Sequence, residues 1–358
     1  MYNICTMKII HLADVHLGSK MESRLPNDKA AKRRNEIRAS FLRTAEYAEQ
    51  NGVTAIIIAG DLFDGNNPLK KDKEFFYDVV EKHGGVDFLY LRGNHDDLGG
   101  YERELKNLKT FGKEWTYYRY GQVVIAGVEL CAENSLSAYS SLDLSPADYN
   151  IVTMHGEWND GGAGGVNLLK LKNKNIDYLA LGHIHTAAEK RIDERGIARY
   201  SGCLEGRGFD DCGEKGFYLL DTDGEKMRSE FVKAASRTIY KYEVDVSGAT
   251  TATQVYEKVK AAITAEPKDM VRVELVGERD FDEENLADDI AEYIADKYFF
   301  VSVKDRTLRK FRIEDYYGDK SLKGEFIREV LSSGELTEEQ KRKVIAYGVK
   351  ALTGREVD

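Results

Sequence analysis

Asp14-Val15-His16, Gly60-Asp61-Leu62-Phe63-Asp64, Gly93-Asn94-His95-Asp96, Met154-His155-Gly156 and Gly182-His183-Ile184-His185 follow one another along this chain. The sequence holds seven histidines, and five of them fall inside these segments. Packing does not concentrate so polar and scarce a side chain in this way. Asp14 and His16 are two residues apart, as are His183 and His185; in extended backbone that spacing sends both side chains to one side. Each pair can therefore grip ions in a single cleft. Carboxylate, carboxamide and neutral imidazole donors suit Mn²⁺, Fe²⁺ or Zn²⁺ better than Ca²⁺, and the segments hold no cysteine of the kind a structural zinc site uses. Two such ions, roughly 3.5 to 4 Å apart, can share a carboxylate and a bridging hydroxide, the nucleophile for in-line attack on a phosphoester. The expected chemistry is two-metal phosphoester hydrolysis.

The elements that must position these residues are legible around them. Lys8 to Ala13 reads as a short apolar strand ending at Asp14, and Thr54 to Ala59 as a buried strand ending at Gly60-Asp61. Ile37, Phe41, Ala45 and Ala48 mark a helix between them, with Gly52 at its C-terminal cap. A second helix, about Asp72 to His83, leads to a strand Val86 to Leu91 that ends at Gly93-Asn94-His95. Further on, Gln122 to Leu130, Tyr149 to Met154 and Asp177 to Leu181 are strand-like, followed by turn-linked strands around Glu194-Arg195-Gly196 and Asp223-Gly224. Motif residues keep appearing at the downstream ends of strands, the edge where open α/β sheets bind ligands.

Beyond about Ala235 the rhythm changes. Tyr240 to Val246, Val271 to Val276 and Tyr298 to Val303 read as strands, alternating with helices at Thr253 to Ile263 and Asn285 to Ala295. Ile313 to Asp358 reads as helical and charge-rich, with Leu322, Phe326, Val330 and Leu331 on one face and Val344, Ile345, Val349 and Leu352 on another. The expected division is 7–235, 236–312 and 313–358.

The chain's 358 residues, 42% of them hydrophobic, suffice for a sizeable core plus an appendage. No apolar run approaches the roughly 20 residues of a membrane span, and the N-terminus lacks a signal-peptide layout, so a cytoplasmic location is expected. Cys5, Cys131, Cys203 and Cys212 lack CxxC spacing and read as reduced thiols. The net charge of −10 disfavours indiscriminate nucleic-acid binding by the bulk surface without excluding a local basic track. Lys29, Lys32, Arg33, Arg34, Arg38 and Arg43 could form such a track or a solvated helix face. Arg207 could meet a substrate phosphate or a local carboxylate. His11 reads as a core residue, and His83, at a helix end, as a structural one. Met1 to Thr6 precede a second methionine and are assigned no role; Gly161 to Gly165 reads as a flexible connection.

The five motifs, D-x-H, GDxxD, GNHD, a lone histidine after a strand and GHxH, resemble those of the calcineurin-like metallophosphoesterase superfamily. The resemblance implies a four-layer α/β/β/α sandwich with a small α+β capping domain and a helical C-terminal tail. It implies that one metal takes Asp14, His16, Asp61 and His185 and the other Asp61, Asn94, His155 and His183, with Asp61 as the bridge. His95 would stabilise the transition state or protonate the leaving group, and Asp64 would orient it. Within the superfamily the chain is similar to the SbcD-type DNA repair nucleases. The resemblance rests on the opening Ile9 to Gly18, on Tyr200 to Phe209 with Gly213 to Phe217, and on the appendage. The chain departs from the family pattern at Asp64, where archaeal and eukaryotic members tend to carry histidine, and at Cys203, which stands where proline is usual.

What this resemblance implies is a Mn²⁺-dependent DNA exonuclease or endonuclease acting in DNA repair and recombination. It would form a homodimer joined to an SbcC-type coiled-coil ATPase through the C-terminal tail. A small-molecule phosphodiesterase or phosphatase on the same scaffold, and a non-catalytic DNA-end-binding subunit, are the alternatives.

Overall fold

The computed structural model describes residues 7–21, 25–65, 68–96, 103–161, 165–222, 227–281, 283–309 and 318–352. The chain divides into two compact units, Met1–Ile239 and Tyr240–Asp358. Residues 236–239 thus belong with the first unit rather than with the appendage, for a physical reason. Arg237 is buried against Glu36, and the Ile239 carbonyl accepts the Gly213 N–H at 2.9 Å.

In the first unit, β1 (Lys8–Leu12), α1 (Asn27–Gln50), β2 (Val53–Ala59), α2 (Lys70–Lys82), β3 (Asp87–Leu91) and β4 (Leu108–Thr110) come first. Then follow β5 (Thr116–Tyr120), β6 (Val123–Gly127), α3 (Ser137–Ser141), β7 (Tyr149–His155), β8 (Trp158–Asn159), β9 (Val166–Asn167) and α4 (Leu168–Leu171). The unit closes with β10 (Tyr178–Gly182), β11 (Ala188–Arg191), β12 (Ile197–Tyr200), β13 (Gly216–Asp221) and β14 (Arg228–Lys233). Two six-stranded sheets result, ordered β14-β13-β1-β2-β3-β4 and β11-β12-β10-β7-β6-β5. The central strands are parallel: β1 with β2, β2 with β3, β7 with β10 and β6 with β7.

Period-two alternation explains the layering. Ile10, Leu12, Ile56, Ile58, Phe88 and Tyr90 point outward onto Ile37, Phe41, Ala45 and Phe76 of α1 and α2. Their neighbours Ile9, Ala55, Ile57 and Leu89 point inward, onto Ile125, Ile151, Tyr178 and Ala180 of the second sheet. That sheet's other face, with Val152, Met154, Leu179 and Leu181, packs beneath Ala138, Tyr139, Leu168 and Leu171 of the short helices α3 and α4. The order is helix, sheet, sheet, helix. His11 sits within the inter-sheet layer, its Nδ1 2.9 Å from the Tyr178 hydroxyl and its Nε2 3.2 Å from the Leu181 carbonyl. Burial pushes it down to about 3, and it joins the two sheets as a neutral ring.

Two expectations change in detail. The strand expected over Gln122 to Leu130 is limited to Val123–Gly127, and the short strands β4 and β5 on the sheet edges lack a clear sequence signal. The strands beside Asp223-Gly224 are β13 and β14, while the turn itself lies outside the described residues. Part of the basic cluster on α1 is structural. Arg33 is fully buried between Glu36 and Glu205, Arg38 pairs with buried Asp72, and Arg43 donates to the Ala234 carbonyl at 2.9 Å.

The strand Ile239–Asp245, which starts at the last residue of the first unit, forms one sheet with Met270–Val276 and Phe300–Asp305 of the second unit, in that order. Helices Ala252–Ala262 and Leu286–Ala295 pack on it through Val255, Val259, Leu286, Ile290 and Ile294. Helices Leu322–Ser332 and Glu338–Leu352 meet through Ile327, Val330 and Ile345. Leu322, Val344 and Leu352, assigned to apolar faces from spacing, are exposed, while Ile327 is fully buried. Residues 310–312 before the tail, and 313–317 and 353–358 within it, lie outside the described residues. Among the described residues no helix is long and apolar enough to cross a membrane.

Candidate metal centre

Five parallel strands deliver the motif residues to one edge. Asp14 and His16 follow β1, Asp61 and Asp64 follow β2, Asn94 and His95 follow β3, His155 ends β7, and His183 and His185 follow β10. The loops are stitched together past the strand ends. The Asp14 N–H donates to the Gly60 carbonyl at 3.0 Å, His16 N–H to Asp61 at 3.1 Å and Leu17 N–H to Leu62 at 2.8 Å. Asp14, His16, Asp61 and His183 all adopt positive φ, a conformation that side chains with Cβ take at a cost. Strain of this kind persists only where surrounding structure enforces it. Two glycines make the close approach possible. A Cβ on Gly60, itself at φ +91°, would lie 2.1 Å from His155 Nδ1, and one on Gly93 would lie 2.2 Å from Asp61 Oδ1.

Two groups of donors converge. Asp14, His16 and His185 each present a ligand atom within 4.8 Å of the others, and so do Asp61, His155 and His183. Asp14, His16 and Asp61 are buried, His95, His155 and His185 half-buried, and Asn94 and His183 exposed. The site therefore opens from a buried floor to an accessible mouth.

Ring orientation decides what the groups can hold. His185 Nδ1 lies 2.9 Å from Asp211 Oδ1, and His16 Nδ1 lies 3.3 Å from Asp64 Oδ1. With protons on those nitrogens, the tautomer that the carboxylates favour, both Nε2 atoms present lone pairs, and these face each other at 3.1 Å. In the second group His155 Nδ1 faces the Ala59 carbonyl at 2.9 Å, which leaves its Nε2 aimed at Asn94 Oδ1, 3.0 Å away, and Asp61 Oδ2, 3.5 Å away. Convergent acceptors of this kind fit a divalent cation. A mixed oxygen and nitrogen set without thiolate suits a first-row ion that keeps positions open to substrate.

The electrostatics divide the two central carboxylates. Burial pushes Asp14 up to about 7, against the opposing pull of His155 and His185. Burial also works against ionisation of Asp61, but the hydrogen bond and charge of His155 and the His95 N–H, 3.0 Å from Asp61 Oδ1, hold it down to about 2. Burial lowers His16 and His183, which favours the neutral rings a metal needs. His155 is raised: burial disfavours its charged form, but Asp61 outweighs it. A proton and a cation compete for the same His155 nitrogen.

The expectation that Asp64 orients His95 gives way to a different pairing. The Asp64 carboxylate faces His16 and, at 2.8 Å, Arg207 Nη1. Arg207 accordingly takes the local-carboxylate option. His95 stands beside His16, ring centroids 5.8 Å apart. Two supporting residues carry no signal of this role in the sequence. Asp211, which backs His185, gives no spacing signal because it lies 26 positions from its partner. Asp96, the last residue of the Gly93-Asn94-His95-Asp96 motif, is buried and accepts the N–H groups of Leu62, Phe63 and Gly93 at 3.2, 2.8 and 2.9 Å. It ties the Asp61 and Asn94 loops together. An open cleft of about 1100 Å³ borders Asn94, His155 and His183 and is lined also by Arg92, Lys113 and Lys170.

The family model for calcineurin-like phosphoesterases matches residues 7–187, from the first strand through the His183-Ile184-His185 segment. The chain belongs to that family, whose members use two divalent metals. It is 28% identical over 277 residues to the uncharacterized metallophosphoesterase YhaO of Bacillus subtilis, covering 71% of this chain and 67% of that protein. It is 26% identical over 246 residues to the DNA double-strand break repair protein Mre11 of Methanococcus maripaludis, covering 61% of this chain and 64% of that protein. A shorter match, 34% identical over 94 residues, joins 25% of this chain to 22% of a subunit of the nuclease SbcCD of Bacillus subtilis.

Proposed function

We propose that this chain is a two-metal DNA nuclease of the SbcD type, cutting phosphodiesters in DNA repair. The observation that carries the reading is the pair of facing donor groups, with their ring nitrogens and carboxylate oxygens turned inward at the ends of five strands. In this reading Asp14, His16, Asp61 and His185 would hold one ion and Asp61, Asn94, His155 and His183 the other, with Asp61 belonging to both sets. Bound divalent ions supply an acidified water and neutralise charge on the phosphate. The protein's own groups do the rest. Asp61, kept ionised, is suited to the shared position, and Asp96 fixes the loops that carry Asp61 and Asn94. His95, half-buried beside His16, would stabilise the transition state or protonate the leaving oxygen.

DNA as the substrate is supported by the relatives named for break repair and for the SbcCD nuclease. An open cleft rather than an enclosed cavity beside Asn94 and His183 suits a polymer. Mn²⁺ is the proposed ion, and a coiled-coil ATPase of the SbcC type, met through residues 313–358 of a dimer, is the proposed partner. The substrate test compares Mn²⁺-dependent turnover of linear DNA, a cyclic nucleotide and a phosphomonoester. Preference for DNA supports the reading; turnover confined to the small substrates replaces it with a small-molecule phosphodiesterase or phosphatase.

A further inference from the structure

The two histidines of the Asp14 group are each backed by a carboxylate, and one arginine lies between the two carboxylates. Asp64 Oδ1 is 3.3 Å from His16 Nδ1 and 2.8 Å from Arg207 Nη1. Asp211 Oδ1 is 2.9 Å from His185 Nδ1, and its Oδ2 accepts the Arg207 backbone N–H at 2.9 Å and lies 3.8 Å from Arg207 Nε. Because the two Nε2 atoms stand 3.1 Å apart, His16, Asp64, Arg207, Asp211 and His185 close a ring.

The loop that carries Arg207 is anchored without the help of its side chain. Fully buried Arg33 donates to the Gly206 carbonyl at 2.6 Å and to Glu205 at 3.0 Å, while the Asp211 N–H closes the turn onto the Gly208 carbonyl at 2.9 Å. A Cβ at Gly206 would lie 2.8 Å from the Asp211 carbonyl oxygen, so only glycine lets the turn fold this tightly. The side chain at position 207 thus does not have to hold its own loop. What it does is face two carboxylates, Asp64 at 2.8 Å through Nη1 and Asp211 at 3.8 Å through Nε, so that one positive charge stands beside both. A planar guanidinium, with donors in a fixed fork, is suited to meeting both; a lysine amine is a single point charge.

We propose that Arg207 is a positioning residue for the metal site of Asp14, His16 and His185, holding Asp64 and Asp211 where they aim the two rings at one ion. The inference rests on reading that group as a metal site, and it replaces direct phosphate contact as the main work of Arg207. Outer partners of metal-bound histidines are typically worth about 10- to 100-fold in metal affinity.

The test is calorimetric titration of the metal-free full-length protein with Mn²⁺, without substrate, alongside the thermal midpoint of each metal-free variant. Wild type is expected to take two ions per chain. In Arg207→Gln one dissociation constant should rise by about 10- to 100-fold and the other stay within about twofold. Arg207→Lys should recover part of the loss, since its amine meets one carboxylate at a time. Asp211→Asn should weaken the same ion, and adding Arg207→Gln to it should cost less than the product of the single effects. Unchanged affinity for both ions in Arg207→Gln overturns the proposal while leaving the metal centre standing. Wild-type protein that takes up no Mn²⁺ overturns the metal reading itself. Should Arg207→Gln fail to fold, Arg207→Lys decides: weakening of one ion supports the role, and wild-type affinity for both removes it.

Discussion

His16 and His185, drawn from loops of different sheets, face each other with Nε2 atoms 3.1 Å apart while their Nδ1 atoms rest on Asp64 and Asp211. Asp14 completes the group, with a carboxyl that burial raises to about 7. His155, across the site, is also raised, through Asp61. The ion-free site therefore holds protons near pH 6 that a cation must expel. The sign follows from the direction of both shifts: the protons are present below about pH 7 and gone well above it. Mn²⁺ binding should release more protons at pH 6 than at pH 8, and apparent affinity should rise over that interval. Calorimetry in buffers of different ionisation enthalpy reads the release; release that does not change with pH contradicts the account.

His95 is proposed to act on the reacting phosphate without holding an ion. His95→Ala should lower turnover by about 10²- to 10⁴-fold, the usual contribution of a general acid or base, with both ions retained. Rate and metal content are measured on the same preparation. Undiminished turnover removes His95 from the mechanism, and a lost ion reassigns it as a ligand.

Asp96 should matter to both stability and site geometry. Its carboxylate accepts three backbone N–H groups, and Asp96→Ala leaves all three without that acceptor in a buried setting. Unsatisfied buried donors cost about 1–3 kcal/mol each, partly relieved by relaxation, so a net loss of roughly 3 kcal/mol is expected in denaturant unfolding. Weaker metal uptake should accompany it, because the Asp61 and Asn94 loops lose their common anchor. A loss below about 1 kcal/mol would show that the loops are held by other means.

The convergence of Asp14, His16 and His185, and of Asp61, His155 and His183, was legible in sequence because each lies in a short motif at the end of a strand, where local spacing and apolar runs carry the signal. The network behind them was not. Asp64 pairs with His16 and Arg207 rather than His95, and Arg207 and Asp64 are 143 positions apart, a distance across which spacing says nothing. Arg33 shows the same limit from the other side: on a helical wheel it belongs to a basic surface, yet Glu205, brought in from a distant loop, buries it completely. The alternating strands of both sheets were read well where they are long and central. The edge strand β4 has only three residues and β5 is half-exposed, so their pattern is too weak to stand out.

Cleavage of linear duplex DNA by the metal-stripped full-length protein, before and after adding back Mn²⁺, tests the central claim most directly, with Asp61→Asn as the paired control. The account predicts no cutting without metal, cutting on Mn²⁺ addition, and loss of that activity when Asp61 no longer offers a carboxylate to both donor groups. DNA left intact by Mn²⁺-loaded protein, under conditions where it hydrolyses a cyclic nucleotide or a phosphomonoester, would contradict it.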